Sequence, residues 1–284
     1  MTLVSTAELL DGARGSGVGL GAFNVITLEY AEGIVAGAER VGRPVILQLS
    51  ENATKFHGHD PLPITAAMKE LAAAASVAVS LHLDHVEDEA LLRRSAEAGF
   101  SSVMFDGGAL PYEENLAATR RAAEWARGQG LSIEAELGYV GGKDTQATSA
   151  HAAGVRTDAR QAADFVAATG VDSLAVAVGS SHAMTSRSAT LDHQLIAALR
   201  AALDVPLVLH GSSGVPDEDL ARAVAAGITK VNVGTLLSVA YTGAVRDWLQ
   251  REPERSDPRA YLGSARDEIS RVVAHLLEVL DPRP

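Results

Sequence analysis

Short apolar runs alternate along the chain with longer, Ala-rich amphipathic stretches, and the alternation repeats eight times. The runs GAFNVI (21–26), PVILQLS (44–50), AVSLHLD (78–84), SSVMFD (101–106), LSIEAEL (131–137), SLAVAVG (173–179), VPLVLHG (205–211) and ITKVNVG (228–234) read as strands. Their Val, Ile and Leu content suits a parallel sheet wrapped by helices. Stretches 28–40, 87–98, 113–128, 158–169, 192–202 and 217–226 read as helices. Many open on an acidic or polar residue and end near a glycine, as in AEAGF (96–100) and AAGIT (225–229), the usual asymmetry of helix termini.

Strict alternation of β and α units implies a parallel sheet with right-handed crossovers. Eight such units in about 210 residues favour a closed (β/α)8 TIM barrel over an open doubly wound sheet. No G-x-G-x-x-G follows the first strand, which weighs against a dinucleotide fold. The chain has 284 residues, so a single barrel domain spans 1–284. Residues 264–280 lie beyond the eighth unit and predict extra C-terminal helix, after a polar, Pro-containing loop at 251–259. Residues 138–157 show little apolar periodicity and many small side chains. A connection this long reads as a mobile active-site lid, with Gly141 and Gly142 as hinges.

Catalytic groups of such barrels sit at the C-terminal ends of the strands. Here those ends carry Asn24, Ser50, Asp84 with His85, Asp106, Glu136, His182, His210 and Asn232. Loop polarity accounts for Ser and Asn, but poorly for three of the nine histidines and three carboxylates gathering there. Alternation along Leu81–His85 places His82 and Asp84 on one face, with His85 at the strand exit. His82 reads as a satisfied core histidine, and His85 as a ligand beside an acid. His85, His182 and His210, from three separate strands, can converge on one metal and leave a position open, as catalytic zinc requires. Gly-rich turns at 211–214 and 232–235 follow strands seven and eight, where backbone N–H groups bind phosphate in many barrels.

Composition narrows the chemistry. There are no cysteines, so a transition metal must be held by His, Asp and Glu. The formal net charge of −12 disfavours nucleic acid and anionic membrane as partners. It also requires that a phosphorylated substrate be held by local groups. The first residues, MTLVSTAELLDGARG, lack the pattern of a secretory signal, and no apolar stretch is long enough for a membrane span. A cytoplasmic protein is expected.

In order, the segments GAFNVITLE, LHLDH, IEAELGYVGG, LAVAVGSSH, LVLHGSSGVP, KVNVGT and DPRAYL resemble those of class II fructose-bisphosphate and tagatose-bisphosphate aldolases over nearly the whole chain. The resemblance implies zinc on His85, His182 and His210, with Asp106 and Glu136 offering a second or alternative position for a divalent or monovalent cation. It implies that Asp84 exchanges a proton with the aldehyde-derived oxygen. Gly211, Ser212, Ser213 and the run Asn232, Val233, Gly234, Thr235 would cradle dihydroxyacetone phosphate, with Asn232 near the reacting carbons. Asn24 and Ser50 would contact the rest of the substrate. Arg259 would bind a distal phosphate in a neighbouring subunit, hence a homodimer or homotetramer.

The reaction implied is reversible cleavage of a ketose bisphosphate. Fructose 1,6-bisphosphate is the first expectation, with tagatose 1,6-bisphosphate or a related keto-sugar phosphate as the alternative. Three positions depart from the family pattern. Asp144 replaces the usual lid Glu, the proton exchanger; Val86 follows His85; and Ala183 follows His182 where Gly is common. They mark a diverged branch.

Three rivals remain at this level. A Schiff-base aldolase would use Lys230, which shares strand parity with Asn232. A metallohydrolase of the amidohydrolase kind needs an H-x-H on strand one, where this chain has Phe23-Asn24-Val25. A non-catalytic sugar-phosphate-binding barrel would tolerate the changes at Asp144 and Ala183.

Overall fold

Parallel pairing runs unbroken from β1 to β8 and returns to β1, closing a TIM barrel. The computed structural model describes residues 2–138, Val140 and 156–283. The strands are β1 (Leu20–Asn24), β2 (Val45–Ser50), β3 (Val79–Val86), β4 (Ser102–Phe105), β5 (Ser132–Leu137), β6 (Ser173–Val176), β7 (Leu207–Leu209) and β8 (Ile228–Val233). All eight lie within or around the expected runs. Several are shorter, with Val25 and Ile26 lying past the end of β1 and Ala177 to Gly179 past the end of β6. Leu47, Leu49, Leu81, Leu83, Val103 and Val231 are fully buried, as expected of strands screened by helices.

The helices are α1 (Thr6–Ser16), α2 (Leu28–Val41), α3 (Glu51–Phe56), α4 (Leu62–Ala74), α5 (Glu89–Ala98), α6 (Tyr112–Gly128), α7 (Ala159–Thr169), α8 (His193–Ala202), α9 (Asp217–Ala226), α10 (Thr235–Arg251) and α11 (Pro258–Val279). Each of α2, α5 and α7 ends in a glycine with left-handed backbone, the stop its sequence predicts. The C-terminal extension begins earlier than 264. Asp257 accepts from the Arg259 backbone N–H and Pro258 occupies the first helical position, so α11 starts inside the segment read as a loop. Among the described residues, no helix is long and apolar enough to cross a membrane.

Helix α1, not anticipated from the sequence, lies against the N-terminal ends of the strands. The Thr2 carbonyl accepts from Val79 N–H at 2.7 Å, and Thr6 Oγ1 hydrogen bonds to Ser80 Oγ at 3.1 Å and Ser102 Oγ at 2.7 Å. One mouth of the barrel is thereby occupied by the chain itself. The opposite mouth holds the polar strand ends. The expected lid falls mostly in 141–155, so Gly141, Gly142 and Asp144 lie outside the described residues.

Candidate active site

Alternation alone would aim Asp84 into the barrel and His85 away from it. The ladder between β3 and β4 slips where this matters: Leu83 pairs Val103 and Val86 pairs Phe105, so β3 carries one extra residue. His85 sits in that bulge with φ of 50°, a left-handed conformation costly for a side chain with a Cβ. The bulge lets two adjacent residues, Asp84 and His85, both line one cavity.

The His85 ring lies edge-on to His182 and His210, with centroids 5.1 and 4.7 Å away. Donor atoms of His85, Glu136, His182 and His210 all fall within 4.8 Å of one another, close enough to hold one metal ion. The residues behind them fix which nitrogen is offered. Asp106 Oδ2 lies 2.8 Å from His85 Nδ1, which leaves Nε2 for a metal. Glu134 Oε1 lies 2.9 Å from His210 Nε2, while His210 Nδ1 approaches Glu136 Oε2 at 2.9 Å. Imidazoles oriented by carboxylates, plus one carboxylate and no thiolate, are a donor set that fits zinc. Asp106 stands outside the group of four, behind His85, rather than among the donors.

Asp84 is buried beside this group. Its Oδ2 accepts from Gln48 Nε2 at 2.9 Å, and its Oδ1 lies 3.4 Å from Asn232 Nδ2. Burial opposes its charge, but His85, His82, His210 and Lys230 around it outweigh that and hold the carboxyl well below the usual carboxylate range. Asp84 is thus held as a carboxylate at the edge of the cavity. Gln48 also donates to Asn24 Oδ1 at 2.7 Å, which couples Asn24 to Asp84.

A cavity of about 460 Å³ opens over these groups. Asn24, Ser50, Asp84, His85, His182, Gly211, Ser212, Ser213, Asn232, Gly234 and Thr235 all line it, as the sequence predicts. Val233, Asp106, Glu136, His210 and Arg259 do not. Arg259 is exposed at the start of α11 and paired with Asp257 at 2.6 Å. One wall of the cavity is built from backbone. Gly211 has φ of 67°, and a Cβ there would lie 2.6 Å from the Ser181 carbonyl carbon. A 3₁₀ turn at Ser212–Gly214 follows. Ser213 Oγ accepts from Leu236 N–H at 3.0 Å, which ties this turn to the first turn of the 17-residue α10. The helix dipole at that end suits a phosphate. Ala183, on the same wall, has φ of 57°, a place glycine takes without strain.

One layer deeper, Lys230 Nζ is fully buried, 2.7 Å from Glu134 Oε2 and 3.4 Å from His82 Nε2. It does not reach the cavity, so the Schiff-base rival loses its nucleophile. His82 is satisfied by Ser102 Oγ at 2.7 Å, as expected of a core histidine. Burial disfavours the charge of Glu134, yet Lys230 and His210 bring its pKa down to about 2. Gln48, Glu134, Asn52 and Phe56 were not singled out from the sequence. Parity was the available signal, since Gln48 shares a face with Ser50 and Glu134 with Glu136.

Comparison with known proteins agrees with this geometry. The family model described as "Fructose-bisphosphate aldolase class-II" matches residues 4–283. The YdjI aldolase of Escherichia coli K12 is 29% identical, with a TM-score of 0.82 over 98% of this chain and 97% of that one. A candidate fructose-1,6-bisphosphate aldolase of Coccidioides immitis is 27% identical, with a TM-score of 0.84 over 97% and 95%. The fructose-bisphosphate aldolase of Campylobacter jejuni, at 24% identity and a TM-score of 0.82 over 99% and 97%, shares the fold.

Proposed function

Because the chain belongs to the class II fructose-bisphosphate aldolase family, we propose that it cleaves a ketose phosphate reversibly, with zinc held by His85, His182 and His210 and with Glu136 alongside. The products are dihydroxyacetone phosphate and an aldehyde. Fructose 1,6-bisphosphate, yielding glyceraldehyde 3-phosphate, is the first candidate substrate, and tagatose 1,6-bisphosphate, its C4 epimer, the second. The observation that carries this reading is the meeting, in one cavity, of an oriented metal-donor group, an ionised acid and a backbone cradle.

Zinc bound there supplies Lewis-acid stabilisation of the negative charge that builds on the C2 oxygen. The protein does the rest. Gly211 to Ser213 and Gly234 to Thr235 hold the phosphate of the three-carbon half. Asp84 takes the proton of the C4 hydroxyl as the C3–C4 bond breaks and its electron pair moves to that half. Asn232, 3.4 Å from Asp84, donates to the oxygens of the reacting carbons. Asn24 and Ser50 contact the leaving aldehyde. Asp144 is the proposed proton exchanger at C3.

The described lining holds no Lys or Arg. A second phosphate therefore needs a cation from elsewhere, and Arg259 of the partner subunit in a homodimer or homotetramer fits that need. A retro-aldol assay over a panel of ketose phosphates, with and without zinc, tests the proposal. Cleavage that is chelator-sensitive and leaves no borohydride-trapped adduct supports it. Trapping without chelator sensitivity would overturn it.

A further inference from the structure

The barrel interior carries two stacked polar layers. Asp84, Glu136 and Asn232 form the upper one, which faces the metal-donor group and the cavity. Two residues earlier on the same strands, His82, Glu134 and Lys230 form the lower one. The lower layer is sealed, with none of its side chains more than 2% exposed. A second set of potential metal donors spans the two layers: His82, Asp84 and Glu134 also bring donor atoms within 4.8 Å of one another. An ammonium group is already there, since Lys230 Nζ reaches both Glu134 and His82.

We infer that Lys230 is a positioning residue for the metal centre. Its ion pair holds Glu134 where it accepts a hydrogen bond from His210 Nε2–H, leaving Nδ1 for the metal, and its ammonium fills the lower donor set so that a metal enters only the upper one. The inference rests on the zinc reading above.

The geometry carries both halves. Glu134 uses its two oxygens on different partners, Oε1 on His210 Nε2 at 2.9 Å and Oε2 on Lys230 Nζ at 2.7 Å. Rotating Glu134 away from His210 would break the Lys230 contact as well, so the lysine pins the carboxylate. His210 is fully buried between Glu134 and Glu136. With Nε2 facing Glu134, Nδ1 is the nitrogen turned toward Glu136 and the upper site. A lysine suits the lower set better than water would. It supplies a positive charge to a buried cluster that contains two carboxylates, Asp84 and Glu134, a place where an unbalanced charge is strongly disfavoured. A covalently attached cation is also never lost to solvent.

The test compares the full chain with Lys230→Met and the near-isosteric Glu134→Gln. Zinc affinity is read by competition with a chromogenic chelator, and zinc per chain by atomic emission after dialysis. Ring-nitrogen NMR shifts of His210 report its tautomer. Unaltered protein should bind one zinc per chain with His210 protonated on Nε2. Lys230→Met should bind its first zinc about 10- to 100-fold more weakly, the range found when groups behind metal ligands are removed. It should also take up a second equivalent. Glu134→Gln should show the loss of affinity without the second equivalent and a mixed His210 tautomer. Folded Lys230→Met with one zinc at unaltered affinity overturns the proposal, and weakened affinity without a second equivalent overturns the filling of the lower set. If Lys230→Met does not fold, unaltered affinity in Glu134→Gln overturns the positioning role. Unaltered protein that binds no zinc defeats the metal reading itself.

Discussion

His85 Nδ1 lies 2.8 Å from Asp106 Oδ2, on a ring whose backbone is held at a positive φ. The carboxylate thus orients a ligand placed by a bulge rather than by strand alternation. Asp106→Asn keeps an oxygen for Nδ1–H and should retain most of the zinc affinity. Asp106→Leu should weaken it about 10- to 100-fold. Chelator competition on both variants checks this. Equal, severe losses in the two would make Asp106 a metal ligand instead.

Asp84→Asn removes the proton acceptor but keeps the shape that Gln48 and Asn232 contact. The expected result is a kcat lowered roughly 100- to 10,000-fold, the usual scale for losing a general base. KM should move little, because the phosphate cradle is untouched. A coupled retro-aldol assay separates the two constants, and a loss confined to KM would remove Asp84 from the chemistry.

Two backbone positions in the phosphate wall should respond in opposite directions. Ala183 sits at a φ of 57°, which costs an L-residue about 1–2 kcal/mol. Glycine there gives back about 0.4–1 kcal/mol through the freer unfolded chain. Ala183→Gly should therefore stabilise by about 0.5–1 kcal/mol. Gly211→Ala sets a Cβ 2.6 Å from the Ser181 carbonyl carbon and should cost about 1–3 kcal/mol, with a raised KM. Urea denaturation of both variants measures the difference.

Asp219, buried in the first turn of α9, accepts from His193 Nε2 at 2.8 Å and from the Leu191 backbone N–H at 2.9 Å, with Arg222 at 2.6 Å. Burial opposes its charge, but these partners prevail and lower its pKa. A depressed folded-state pKa contributes stability above the unfolded value, and that stability fades as pH falls through the folded one. Asp219→Asn should lose about 1–3 kcal/mol at neutral pH. The gap to the unaltered protein should narrow below about pH 4, where the unfolded carboxyl protonates. Denaturation at three pH values decides it, since a constant gap would mean the charge plays no part.

The strands were legible because parallel strands under helices are rich in apolar side chains, and β2, β6 and β7 follow that pattern closely. The cavity residues from Asn24 to Thr235 were legible for the opposite reason, as polar side chains that interrupt such runs at one end. Helix α10 was not, because only Leu237 of its 17 residues is buried and no apolar stripe marks it. The aim of His85 was hidden too. It depends on an extra residue in β3, and a bulge is a relation between two strands, invisible in either one. Glu134 and Lys230 lie inside strand runs, where each alone reads as an anomaly. Only closure of the barrel makes them a pair.

That closure has a consequence for how the chain is made. β1 pairs with β2 on one side and with β8 on the other, Leu20 opposite Lys230 and Phe23 opposite Val233. A chain emerging from the ribosome offers β1 as a bare edge until roughly 200 further residues have appeared, and such edges invite pairing with other chains. Closure of the barrel thus waits for β8, and the Lys230–Glu134 ion pair at its centre forms only then. A nascent chain arrested before Ile228 would hold two open edges and would lack Lys230 behind Glu134.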